Sequence, residues 1–176
     1  MVTILYILLG IVLLVLILGI IAPKTYEVNR SIVINKPLSE VFNYLKYLKN
    51  QEDWSPWAER DPNMKKTFTG TDGEVGFISA WESNHKQVGT GEQEITGIDK
   101  NKELRTQLRF LKPFKSTSDA YMRVNEVDGG TKVTWGFSGF NKFPINIMML
   151  FMNMDKSVGS DFEQGLAKLK ATLENQ

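Results

Sequence analysis

The sequence predicts an α+β fold, a curved antiparallel sheet of about seven strands around one long C-terminal helix, with a separate apolar helix in front. Three observations predict it. Between Lys65 and Phe140 the apolar residues recur with period two, and turn formers interrupt them at short intervals. From Val158 onward, Val158, Phe162, Leu166, Leu169 and Leu173 follow at helical steps and form one stripe. Met1 to Ala22 carries no charged side chain and is dominated by Leu, Ile and Val. The strands outnumber what two short helices near the start can cover. Their concave apolar face must therefore close on the C-terminal helix.

The apolar opening is long enough to cross a bilayer, since about 20 helical residues span about 30 Å. A cleaved secretory signal fits poorly. No basic residue precedes the run, the run exceeds the usual length of such a core, and Pro23 follows the one small residue, Ala22. Residues 1–23 are therefore read as a retained transmembrane anchor and residues 24–176 as the domain it holds, with residues 2–22 in the membrane. No Lys or Arg precedes the span, while Lys24, Arg30 and Lys36 follow it. The positive-inside rule then favours a single-pass protein whose soluble domain is cytoplasmic.

Tyr26 to Ile34 alternates, with Tyr26, Val28, Arg30, Ile32 and Ile34 on one face: a first strand. Asn35-Lys36-Pro37 ends it, and Pro37 starts a helix whose face is Val41, Tyr44, Leu45 and Leu48. Asn50 to Pro62 is dense in turn formers and aromatics, so a short second helix and a loop are expected there. Strands follow at Lys65–Gly70, Gly76–Ser83, Gly89–Ile98, Glu103–Phe110, Lys115–Glu126 and Thr131–Phe140. Asp128-Gly129-Gly130 marks a hairpin between the last two. Outward Glu92, Glu94, Arg105, Arg109, Asp119 and Arg123 suit cross-strand charge pairs on a solvated face.

The final helix is expected to run from Phe143 to Leu173 in two halves. The half from Val158 has polar residues opposite its stripe. The half from Ile145 to Met154 is apolar nearly all round and holds four of the seven Met residues. Such a run is buried on several sides or touches something other than water. It is either a structural core helix or one wall of an apolar cavity.

Composition removes several classes of function. Lys+Arg 21 against Asp+Glu 20 gives a net charge of +1, and no basic run tracks phosphates, so no nucleic-acid partner is expected. Cysteine is absent and His85 is the one histidine, so thiolate chemistry, Cys-ligated zinc and histidine-rich metal sites are excluded. No cofactor and no metal are called for. Gly70 to Gly76 is glycine-rich but lacks a Lys and opens no helix, so it is a turn and not a phosphate loop.

Small residues in the strands make room for a cavity: Ser79, Gly91, Ala120 and Gly136 are read as inward positions among large neighbours. The other account of the glycines is relief of crowding at bends. Trp54 and Trp57 bracket Pro56 near the expected mouth, where they gate it, face the bilayer or pin a loop. For general acid–base chemistry the candidates are Glu82, His85, Glu92, Tyr121, Asp155 and Asp161. Their spacing sets none of them inward.

Five stretches resemble a known family. They are YEVNRSIVINKPLSEVFNYL, WSPWAERDPNM, GTGEQEITGI, GGTKVTWGFSG and FMNMDKSVGSDFEQGLAKLK. In that order, over Tyr26 to about Leu173, the chain is similar to the START-like SRPBCC superfamily, in particular its bacterial polyketide cyclase/dehydrase-like members. The resemblance implies a helix-grip fold with a cavity between the curved sheet and the long helix. It implies a hydrophobic small molecule or lipid as partner, and chemistry on it in a minority of members. Ser79, Trp81, Leu108, Phe110, Met122, Trp135 and Phe137 are then expected to line the cavity from the sheet. Met148, Met152, Phe162 and Leu166 are expected to line it from the helix. Two rival expectations are a polyketide-cyclase-like enzyme, and an interaction or co-chaperone-like module with a filled core.

Overall fold

The computed structural model describes residues 2–151 and 153–175. Helix α1, Val2–Ile21, leads into strand β1, Thr25–Ile34. Helix α2, Leu38–Leu45, a 3₁₀ turn at Leu48–Asn50, and short helices α3, Gln51–Trp54, and α4, Pro56–Arg60, follow. Then come β2 Lys65–Thr69, β3 Ile78–Glu82, β4 Thr90–Asp99, β5 Glu103–Lys112, β6 Ser116–Val127 and β7 Gly130–Phe140. A 3₁₀ turn at Ile145–Leu150 precedes helix α5, Met154–Glu174. The strands form one antiparallel sheet of seven in the order β1-β7-β6-β5-β4-β3-β2. A seven-stranded curved sheet gripping a C-terminal helix is the predicted fold.

Alternation sets which face closes on α5. In β7, Val133, Trp135 and Phe137 are buried, as are Ala120, Met122 and Val124 in β6. These pair directly, Ala120 with Phe137, Met122 with Trp135 and Val124 with Val133. Leu166, Leu169 and Leu173 of α5 and Val41, Phe42 and Leu45 of α2 complete a closed core at one end of the sheet. Polar ties hold the grip there: Lys170 Nζ donates to the Val33 carbonyl at 2.7 Å, and the Asn35 amide donates to Glu174 at 2.7 Å. The expected charge pairs form on the outer face, where Arg109 meets Glu92 at 2.6 Å and Glu94 at 2.7 Å. Arg105 pairs with Asp99 and Glu103, and Arg123 with Glu103; Asp119 is in none of the ion pairs among the described residues.

Two expectations are corrected. The C-terminal helix starts at Met154, not near Phe143. Asn153 caps it, its side chain accepting from the Lys156 amide at 2.9 Å, which satisfies an N–H that the first turn leaves open. The apolar run before it is a tight turn whose one inward polar residue, Asn146, is fully buried. Its Nδ2 donates to the Gly19 carbonyl at 2.8 Å and the Ala22 carbonyl at 3.3 Å. The run is thus the seat for the end of α1, not a helix over a cavity. Second, Gly136 faces outward: a Cβ there would overlap the Tyr121 ring on the outer surface. Alternation with inward Trp135 and Phe137 requires this.

Helix α1 touches the domain only near its C-terminal end, where Gly19 is buried against the Phe143 ring. Residues 2–17 are all exposed. By length and composition α1 is apolar enough to cross a membrane.

Candidate functional site

Toward the start of α5 the grip is loose, and a cavity of about 510 Å³ lies between that helix, α3–α4 and the inner face of β3 to β7. Its wall is aromatic where the sheet meets the helix. Trp135 stacks on Phe162 with ring centroids 4.1 Å apart, and Trp57 stands edge-on to Trp135 at 5.8 Å. Phe110 meets Trp81 edge-on at 6.2 Å and Phe137 at 6.5 Å. Edge-on and offset arrangements suit the ring quadrupoles and hold the rings in place. Gly91 makes the Trp81 position possible, since a Cβ there would lie 2.7 Å from the indole.

Polar groups are few and placed. Tyr26 Oη and Ser118 Oγ are 3.1 Å apart on adjoining wall positions, and Gln93 Nε2 donates to Thr106 Oγ1 at 3.0 Å. Arg60 of α4 forks onto Asp161 of α5 with bonds of 2.9 Å and 2.5 Å. The Asp161 hydrogen bond raises the Arg60 pKa above its ordinary value, against partial burial, so the guanidinium stays charged. Glu52 and Lys66, also on the wall, pair at 3.0 Å.

Of the residues expected to line the cavity, Ser79, Trp81, Leu108, Phe110, Trp135, Phe137 and Phe162 stand on its wall. Met122 and Leu166 do not. Both are buried in the closed core, where β6 and the middle of α5 touch. Met148 is exposed on the turn before α5, because the helix expected to carry it inward begins six residues later, at Met154. Met152 lies outside the described residues. Trp54 is buried at the core edge, 5.1 Å from Trp135, rather than at the mouth, while Trp57 lines the cavity.

Among the acid–base candidates, Asp161 alone reaches the cavity wall. Glu82 pairs with Lys65 at 3.1 Å, and Asp155 with Arg30 at 2.8 Å. Glu92 holds Arg109, and the Tyr121 hydroxyl donates to Glu27 at 2.7 Å on the outer face. His85 is exposed in the β3–β4 turn. Tyr26, Arg60, Gln93, Ser118 and Val158 were missed as wall residues. Tyr26 and Val158 already stood on the inward strand face and the helix stripe, so the signal was present for them. For Arg60 it was not, because a residue in a short helix between two turns has no periodicity to read.

Residues 25–174 match the family described as "Polyketide cyclase / dehydrase and lipid transport". No curated protein matches. Among solved structures, an uncharacterized protein from Rhizobium leguminosarum is similar at 14% identity and TM-score 0.61, over 87% of this chain and 97% of that one. The di-domain ARO/CYC StfQ from the steffimycin biosynthetic pathway is similar at 8% identity and TM-score 0.62, over 86% of this chain and 51% of its own. The Aha1 dimer from Colwellia psychrerythraea is similar at 16% identity and TM-score 0.54, over 85% of this chain and 96% of that one. At such identities the likeness is one of fold.

Proposed function

Because the chain belongs to the family of polyketide cyclases, dehydrases and lipid-transport proteins, we propose that it binds a hydrophobic small molecule, a lipid or a polyketide-like ring system, in the cavity under α5. One observation carries the reading: a space of about 510 Å³ walled by Trp57, Trp81, Phe110, Trp135, Phe137 and Phe162. Ligand pockets run to roughly 300–1,000 Å³, are mostly apolar, and hold a few polar groups for orientation. Tyr26, Gln93, Ser118 and the Arg60–Asp161 pair are those groups. In this reading α1 is a transmembrane anchor, and the domain it holds is cytoplasmic.

The molecule is held rather than transformed. General acid–base work needs a titratable side chain free to exchange a proton with the ligand. The wall's Tyr26 hydroxyl is engaged with Ser118 Oγ at 3.1 Å. Among the described wall residues, the carboxylates are Glu52 and Asp161, and each is engaged by a cation. The test is thermal unfolding of the full-length protein, followed by tryptophan near-UV circular dichroism, with added single-chain lipids and aromatic ring compounds. A ligand of the native state raises Tm with concentration. Ala120→Phe fills the cavity from β6, and we expect it to abolish that rise. Equal shifts in both proteins, or none with any compound, would count against the cavity as a binding site.

A further inference from the structure

The end of the sheet where α1 joins carries apolar residues that nothing in the fold covers. Strand register brings several segments to that end. Thr25 pairs with Phe140, Gly139 with Ser118, Phe110 with Ser116, and Lys112 with Thr90. The β5–β6 hairpin tip, the β3–β4 loop and residues 141–151 therefore lie at the same end of the sheet as the exit of α1. Phe114 at the hairpin tip is 80% exposed and Phe151 is 81% exposed, and Ile145 and Met148 of the turn that seats α1 are exposed as well. Phe143 packs on Gly19, so the apolar turn that carries Phe151 joins the apolar surface of α1 itself.

The exposed Glu27 and Asp119 at this end lie on the outer sheet face beside Thr25 and Phe140, while unpaired lysines cluster around the patch. Lys24, Lys112, Lys115 and Lys142 are exposed there, and none of the ion pairs among the described residues engages them. Asp155 and Glu82, at the same end, are taken up by Arg30 and Lys65. Exposed aromatic and aliphatic side chains ringed by free lysines suit the headgroup region of an anionic bilayer, with the lysine stems lying along the apolar surface. The exposed wall residues Gln87, Ser116 and Ser157 lie at this end too, so the cavity is open on this side. Elsewhere on the rim, the Glu52–Lys66 pair bridges the wall.

We propose that this end of the domain is a membrane-docking collar. Phe114 and the 143–151 segment sit in the lipid headgroup region, and the cavity opens onto the bilayer, so its ligand passes between membrane and cavity without crossing water. The proposal rests on α1 being a membrane anchor.

The absence of cysteine allows single labels. Phe114→Cys, Phe151→Cys, Val12→Cys and Asp128→Cys, the last in the hairpin at the opposite end of the sheet, are each labelled with an environment-sensitive fluorophore. The full-length protein is reconstituted in phosphatidylcholine vesicles with and without phosphatidylserine, and brominated lipids serve as quenchers. We expect blue-shifted, quenched emission at positions 114, 151 and 12 and none at 128. Phosphatidylserine should deepen quenching at 114, and the doubly reversed Lys112→Glu/Lys115→Glu protein should lose that dependence. Quenching at 12 with 114 and 151 in water would overturn the collar and leave the anchor standing. No quenching at 12 would overturn the anchor and the collar together. Labels at 114 and 151 that are blue-shifted yet unquenched would mean that a second copy of the chain covers the patch, which also overturns the proposal.

Discussion

Trp135 joins the closed core to the cavity. Its indole stacks on Phe162 at 4.1 Å and meets Trp54 and Trp57 edge-on at 5.1 Å and 5.8 Å. Trp135→Ala removes all three contacts, and a loss of about 3–5 kcal/mol is expected, read as a lower urea midpoint at unchanged slope. Arg30 is a second residue with a measurable role, since its guanidinium joins Asp155 at 2.8 Å and Glu163 at 2.6 Å and so ties β1 to α5. Its hydrogen bond holds the Asp155 carboxyl below the ordinary carboxylate range, against the opposing effect of desolvation. A depressed folded-state value stabilises the fold above the unfolded pKa of about 4, and that contribution is lost as pH falls through the lower folded value. Below about pH 4, Tm should therefore fall less steeply in Arg30→Met than in the wild type. The sequence pattern placed Trp135, Phe137 and Arg30 on the inward faces. Small size suggested an inward Gly136, although alternation with Trp135 and Phe137 sets it outward, and size says nothing about the face a glycine occupies.

At the scale of elements, the boundary of α5 was the least legible feature. Apolar content alone cannot separate a helix from a tight turn whose outer side is exposed. The deciding signals were Asn153, three residues before the amide it caps, and Pro144 at the start of the 3₁₀ turn. Asn153→Ala should cost about 1 kcal/mol and speed hydrogen exchange at Lys156 before it affects the rest of the helix. The strands, by contrast, were readable to within about two residues, because alternation and glycine turns leave local traces. Gly129, for instance, sits at φ +86° in the β6–β7 hairpin, where a side chain is strained. The seating of α1 depended on a long-range pairing, Asn146 with Gly19 and Ala22, which no local pattern announces. In Gly19→Leu the new side chain overlaps the Phe143 ring. A label on α1 should then gain mobility in spin-label spectra while the tryptophan near-UV signal of the domain stays unchanged.

The molecule as a whole has two unlike ends. At one, α2 and the last turns of α5 close a core around Ile34, Val41, Leu169 and Val133, each with 0% exposure. At the other, the start of α5 stands off the sheet, and the cavity, the apolar patch and the exit of α1 come together. The alternation of strands and the terminal helical stripe made the grip legible from sequence. The cavity was legible only as a choice of inward residues, since whether such residues meet or stand apart depends on how far α5 lies from the sheet. The reading of the chain as a carrier of a hydrophobic molecule stands or falls on what the cavity holds. The most direct measurement is native mass spectrometry with lipid extraction on the full-length protein, purified gently from its own cells, beside Ala120→Phe prepared in the same way. A stoichiometric hydrophobic molecule in the wild type, absent from the variant, is the expected result. A wild-type protein with no bound molecule, or one whose bound lipid is equally present in the filled variant, would contradict it.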